Sequence, residues 1–181
     1  MSLLDLGTGS GCIPLLLCHL SPPGTVHAHG VDISPHAIQL ATDNAARCKI
    51  PSISRHKNTF TPTLASFLDP NNFPVQPPFD IVTSNPPYIP WSDYVNLPPS
   101  VKNYEDPLAL SGGHTGLDFY HAIAQLVSRK GFLSTDALVA LEVGDGQAEV
   151  VQEIMRRQGC MRTTEVWLDP WEKRRTVIAR M

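Results

Sequence analysis

The sequence predicts an α/β fold built on a mainly parallel sheet, and three observations lead there. Strand-like apolar runs alternate with segments of helical period through most of the chain. The first of these runs enters a glycine-rich loop and then a helix. Three of the runs also end in chemically distinctive residues, and in such sheets ligands bind at the carboxyl ends of the strands.

Residues 3–6 read as a short buried strand that enters Gly7-Thr8-Gly9-Ser10-Gly11. A helix over residues 12–20 follows. Pro14 is acceptable in its first turn, and Ser21-Pro22-Pro23-Gly24 stops it. Residues 26–33 form a second strand, with Asp32 at its end. Ser34-Pro35 then reads as an N-cap followed by proline at the first helical position. The helix over residues 36–50 places Ala37, Leu40, Ala41, Ala45 and Cys48 on one face. A weaker third strand is expected over 52–60, then a loop over 61–78 with at most one helical turn at 64–67. Residues 79–84 form the fourth strand. Residues 85–116 are rich in proline and glycine and irregular, and a loop of that length in a compact domain is usually functional or mobile. A helix over 117–127, stopped by Gly131, precedes a fifth strand at 138–143. An amphipathic helix over 147–158 ends at Gly159, and strands at 164–168 and 175–179 close the chain as a hairpin.

The 181 residues suit one domain, 1–181, with a full-sized core. The net charge of −3 argues against a broad electrostatic grip on nucleic acid, which needs a basic face. No apolar run approaches the ~18 residues that span a bilayer. Cys12, Cys18, Cys48 and Cys160 are irregularly spaced without a CxxC, so they read as reduced, mostly buried thiols and not as metal ligands or a disulfide framework. His27 and His29 read as surface polar positions on one strand face; no metal is expected. The chain opens directly on a strand, with no targeting segment, which suggests that a preceding domain is missing.

The rim motifs suggest chemistry. "DLGTGSG" is strand, G-x-G-x-G, helix, and its glycines allow a ligand to approach the backbone closely. Asp32 ends the next strand 21 residues after Gly11, where an acid can accept both hydroxyls of a ribose. Nothing nearby resembles a phosphate-binding Lys-Ser/Thr loop, so a nucleoside without a phosphate chain fits best, and S-adenosylmethionine is of that kind. In Asn85-Pro86-Pro87-Tyr88, the Asn carboxamide oxygen and a turn carbonyl can each accept a hydrogen bond from one NH2 group. Tyr88 offers a flat face for a planar amide or base.

The ordered set "LDLGTGSG", "GVDIS", "DIVTSNPPYIP" and "YEDPLALSGGHTGLDFY" resembles the release-factor glutamine N5-methyltransferase family (PrmC/HemK type), bacterial and organellar branch. The first three motifs are shared with other amino-methyltransferases, including DNA adenine enzymes; the fourth is more specific. The resemblance implies a class I S-adenosylmethionine-dependent methyltransferase: a seven-stranded, mainly parallel sheet in the order 3-2-1-4-5-7-6, last strand antiparallel, with helices on both faces. It implies that Gly7, Thr8, Gly9, Ser10, Gly11, Asp32 and Asn85 hold the cofactor. Asn85, Pro86 and Tyr88 would be catalytic. With Pro87 and Glu105 they would hold the glutamine of a GGQ motif, and Glu105 would help order the loop over the site. The implied partner is a bacterial-type or mitochondrial peptide chain release factor, met by a monomer in the bacterial cytoplasm or the mitochondrion; the product is S-adenosylhomocysteine. Two features depart from the family. The acid-aromatic pair near the adenine is matched only by Asn58-Thr59-Phe60, leaving Phe60 as the expected adenine contact. The family's N-terminal docking domain is absent from this sequence. Two other readings stand beside this one: a nucleic-acid adenine N6-methyltransferase, and a non-catalytic scaffold of the same fold.

Overall fold

The computed structural model describes residues 1–69 and 73–181. Its strands are β1 (Ser2–Leu6), β2 (His27–Asp32), β3 (Thr59–Leu64), β4 (Phe79–Ser84), β5 (Leu133–Glu142), β6 (Thr163–Leu168) and β7 (Arg174–Arg180). They form one sheet in the order β3-β2-β1-β4-β5-β7-β6. The first five run parallel to one another, and β7 runs antiparallel between β5 and β6. This is the order the resemblance implied.

The central strands are apolar almost without a break because both faces of the sheet are covered. On one face, Leu3, Ala28 and Phe60 pack with Leu15 and Cys18 of α1 (Cys12–Leu20) and Ala41 and Ala45 of α2 (Pro35–Arg47). On the other, Leu4, Leu6, Val82 and Val139 share a core with residues of the two helices that flank β5. These residues are Tyr120 and Ile123 of one helix and Val151 and Met155 of the other. The segment between β4 and the first of those helices is not featureless. It holds three single turns, α3 (Trp91–Tyr94), α4 (Pro99–Lys102) and α5 (Pro107–Leu110), before α6 (Asp118–Val127); α7 (Ala148–Arg157) follows β5.

Several expectations shift. The third strand lies at 59–64 and not 52–60, so Leu64 ends the strand opposite Asp32 and no helical turn forms at 64–67. Pro62 lies inside this strand. Thr59 and Ala65 donate their N–H groups toward β2, to Val26 O (3.0 Å) and Asp32 O (2.9 Å), whereas Phe60 donates away from it, to Pro51 O (3.0 Å). By strand alternation the Pro62 nitrogen points away from β2, to the open edge, where a missing donor breaks no ladder bond. Residues 70–72 of the loop expected over 61–78 lie outside the described residues. On α2, Ala41 and Ala45 are buried but Leu40 and Cys48 face solvent; the inward stripe is narrower than the periodicity suggested because the neighbouring face lies beside the glycine loop, where Asn44 donates to Ser10 O (3.0 Å). Only Cys18 of the four free cysteines is buried. Cys12 opens α1, Cys48 caps α2, and Cys160 turns the chain with φ 57°, so these three sit at element ends, where side chains meet water. β5 starts at Leu133, five residues earlier than expected, through an irregularity in its pairing with β4.

Gly30 shows how tightly the rim is packed from below. A Cβ there would lie 2.6 Å from Thr8 Oγ1 and 2.8 Å from the Phe60 ring. Gly30→Ala should lower the unfolding free energy by about 1–3 kcal/mol in urea titrations, as overpacking does, even though alanine has the better intrinsic backbone entropy.

Candidate active site

The site is built on the carboxyl ends of β1, β2, β4 and β5. After β1 the chain makes a tight loop in which Gly7, Gly9 and Gly11 all have positive φ. Gly7 and Thr8 both donate their N–H groups to Val31 O (2.9 and 3.0 Å), which turns the loop over the end of β2. A Cβ on Gly7 or Gly9 would meet nothing within 4 Å, so their outer side is open. Gly11 is different: a Cβ there would come 2.7 Å from the Phe60 ring, so this glycine serves packing. Thr8 is buried, and its hydroxyl donates inward to Asp5 (2.7 Å). Ser10 is half-buried, with its carbonyl engaged by Asn44.

Asp5 lies beneath this loop, 2% exposed. Its other oxygen accepts from Thr83 of β4 (2.6 Å). Burial pushes the carboxyl up to about 6 against the lowering effect of the two hydroxyls, with a smaller push from Asp32. Asp32 itself accepts from Gly9 N–H with Oδ2 and from Ser34 N–H with Oδ1, both at 2.9 Å. Each of its oxygens therefore keeps acceptor capacity for a further hydroxyl. Ser34 caps α2 through Ala37 N–H (3.3 Å), which fixes the exit from β2.

After β4, Ser84 donates to Leu6 O (2.7 Å) and ties the strand end to β1. Asn85 follows, exposed, and its side chain makes no hydrogen bond among the described residues; nor does the Pro86 carbonyl. Pro86 is buried, and Pro87 and Tyr88 are half-buried. The turn is braced by the 104–117 segment. Ile89 N–H donates to Leu110 O (3.0 Å), Gly112 N–H to Ile89 O (2.9 Å) and Trp91 N–H to Gly113 O (2.9 Å). Gly112 sits against Pro87 O, where a Cβ would come within 2.6 Å. The Tyr88 ring lies over Gly144, the turn after β5. Burial, then Glu142, raises the Tyr88 phenol; Arg175 opposes this and Glu105 adds to it. Glu105 is exposed but close enough for its charge to reach Tyr88.

Of the residues singled out from sequence, the glycine loop, Asp32 and the 85–88 turn thus meet on one rim. Phe60 does not. It is 1% exposed in the core, its ring edges against Gly11 and Gly30, and it cannot present a face to a ligand on the rim. Its neighbour Asn58 is also structural: it accepts from Thr25 and Val26 N–H groups (2.9 and 3.0 Å) and donates to Cys18 O and Ser21 O (2.7 and 3.0 Å). Apolar side chains are exposed on the rim at Ile33 and Leu64, 53% and 55% exposed, just past Asp32 and at the end of β3. An exposed aliphatic directly after the β2 acid was the available signal for Ile33; Leu64 needed the corrected strand.

Comparisons with known proteins agree with this geometry. A family described as a methyltransferase domain matches residues 1–155. Release factor glutamine methyltransferase of Geobacter sulfurreducens is 39% identical over 158 residues, 87% of this chain and 50% of that protein. The protein of the same name from Bacillus cereus is 34% identical over 177 residues, 98% of this chain and 58% of that one. The chain spans about half the length of these curated relatives. Among solved structures, a methyltransferase from Pyrococcus furiosus superimposes with a TM-score of 0.66 at 16% identity, over 99% of this chain and 74% of that one. The hMettl16 catalytic domain in complex with a MAT2A 3'UTR hairpin gives 0.68 at 18%, over 98% and 63%. At such identities these likenesses show the fold alone, that of class I S-adenosylmethionine-dependent methyltransferases.

The buried carboxyl gives a pH signature. Asp5 ionises near pH 4 when unfolded and near 6 when folded, so the stability it contributes is complete below about pH 4 and is lost as pH rises through about 6. Relative to Asp5→Asn, the wild type should lose about 3 kcal/mol across that window, measured by urea unfolding at fixed pH steps.

Proposed function

The chain belongs to the methyltransferase domain family, and on that premise we propose that it transfers a methyl group from S-adenosylmethionine to a glutamine side chain. The acceptor is N5 of the glutamine in the GGQ motif of a peptide chain release factor. One observation carries the chemistry: the Asn85 carboxamide and the Pro86 carbonyl, on adjacent residues of a proline-stiffened turn, are both unengaged by other described groups. The names of the relatives support the choice of substrate.

S-adenosylmethionine, when bound, supplies a methyl group on an electrophilic sulfonium sulfur. The residues present fit such a ligand. The outer side of Gly7 and Gly9 is open to a close approach. Asp32, pinned by two backbone donors, keeps a lone pair on each oxygen for the two ribose hydroxyls. Ile33 and Leu64 offer apolar surface for a base in place of Phe60.

A glutamine amide nitrogen is a poor nucleophile because its lone pair is delocalised into the carbonyl. Asn85 Oδ1 and Pro86 O would each accept a hydrogen bond from its NH2 group and so hold the lone pair toward the cofactor rim; as the new N–C bond formed the sulfonium S–CH3 bond would break, leaving the thioether, and the surplus amide proton would pass to water. Tyr88 packs on the amide plane. Pro86 and Pro87 keep the two acceptors at a fixed spacing, so orientation supplies much of the rate. Glu105 orders the 104–117 segment beside Tyr88. The proposed partner is a bacterial or mitochondrial release factor.

The test is methylation of a GGQ-containing release factor with labelled cofactor, beside its Gln→Ala variant and duplex and hairpin nucleic acids. Label confined to the wild-type glutamine is expected; label in nucleic acid, or equal label in both proteins, would reject the proposal. Asn85→Ala should lower kcat by about a hundredfold or more, the order seen when a donor or acceptor to the reacting group is removed. Its affinity for S-adenosylhomocysteine by calorimetry should stay within about threefold, because kcat falls without uniform binding being lost. Asp32→Ala should do the reverse, weakening cofactor binding at least about tenfold, as expected for removal of charge-assisted hydrogen bonds.

A further inference from the structure

Gln147 belongs to none of the groups assigned to cofactor or substrate, yet its carboxamide joins three loops around Tyr88. Nε2 donates to Tyr88 O (2.9 Å) and lies 3.4 Å from Gly116 O, and Oε1 accepts from Gly144 N–H (3.0 Å). Those three partners lie on the turn after β4, the end of the 104–117 segment and the turn after β5. The two glycines make room for it. A Cβ on Gly116 or on Gly144 would come 2.7 Å from the Gln147 amide, and on Gly144 also 3.0 Å from the Tyr88 ring. Gln147 occupies the N-cap of α7 without capping it through its side chain. A Ser, Asp or Asn would serve that helix better, by about 1 kcal/mol; the glutamine side chain instead reaches away from the helix to the neighbouring loops.

We infer that Gln147 is a positioning residue for the Asn85-Pro86-Pro87-Tyr88 turn. It fixes the Tyr88 carbonyl directly, and through Gly144 it fixes the surface on which the Tyr88 ring rests. The task demands a side chain that donates and accepts at once and is long enough to reach from the start of α7. Glutamate keeps the acceptor for Gly144 but turns an oxygen toward two carbonyls; asparagine is one methylene short; alanine makes none of the bonds. Because Pro87 passes its geometry stiffly to Pro86, a displaced Tyr88 carbonyl displaces the acceptor pair. The inference rests on the proposed glutamine methylation for its catalytic consequence, and on the hydrogen bonds alone for its structural one.

The experiment compares the full chain with Gln147→Glu and Gln147→Ala. In both variants kcat on the release factor should fall about tenfold to a hundredfold, the usual effect of a misplaced reacting group. KM for the release factor and affinity for S-adenosylhomocysteine should stay within about threefold, the pattern of an interaction felt mainly in the transition state. Hydrogen–deuterium exchange should rise at the amides of Ile89 and Trp91 and over residues 111–117 and stay unchanged over β1 and β2. Unchanged kcat overturns the inference. So does a loss of kcat that tracks loss of cofactor binding and of thermal midpoint together, since that marks a merely structural residue. Should the wild type fail to methylate release factors, the functional reading fails on its own; exchange unchanged in both variants then overturns the positioning role, and the localised rise upholds it.

Discussion

A carboxylate shut inside the sheet joins the two halves of the rim. Asp5 takes one hydroxyl from the glycine loop and one from β4. The loop that frames one side of the site and the strand that delivers Asn85 to the other are thereby referenced to the same buried group. Parallel pairing sets the same relation through the backbone, with Asp5 opposite Thr83 and Gly30. Burying an acid this deeply is unfavourable unless its lone pairs are satisfied, and the two threonines satisfy them. The arrangement is rigid because every member is packed: Thr8 lies over Gly30, and Gly30 lies over Phe60.

Above this floor the construction changes character. From Pro86 to Leu117 the chain has only single-turn helices and one isolated bridge, Ile89 to Ser111. Order there comes from backbone bonds between two strands of irregular chain and from glycines that permit close approach. Gly112 against Pro87 and Gly116 against Tyr88 and Gln147 are positions at which any side chain would separate the layers. Prolines at 86, 87, 90, 98, 99 and 107 limit the unfolded alternatives of the same stretch. A stiff sheet thus carries a stiffened loop, and the candidate acceptor pair sits at their junction.

Much of this was legible in the residues. Alternation of apolar runs with helical segments gave the class of fold, and strand ends at Gly7, Asp32 and Asn85 gave the rim. These features are local in sequence, so reading them needs no knowledge of packing. What escaped depends on long-range contacts. The third strand was expected over 52–60 and not 59–64; that Pro62 fits inside it depends on the direction of its nitrogen, which is set by the pairing of β3 with β2. Phe60 looked like a ligand contact because its burial under two glycines, 30 and 49 residues away in the chain, leaves no local mark. Leu40 and Cys48 fit the helical period yet face solvent, since periodicity says which residues share a face and not how wide the covering layer is. Gln147 carries no motif at all; its partners are 3, 31 and 59 residues distant.

The outward nitrogen of Pro62 has a meaning for the protein in a crowded solution. β3 is an open edge of the sheet, and open edges recruit strands from other molecules. Here the outward donor of Phe60 is taken by Pro51 and the next outward position, Pro62, has none. A second chain approaching this edge would find two successive vacancies in the ladder it needs. A proline at this position is thus one of the devices that make an open edge a poor template for edge-to-edge association.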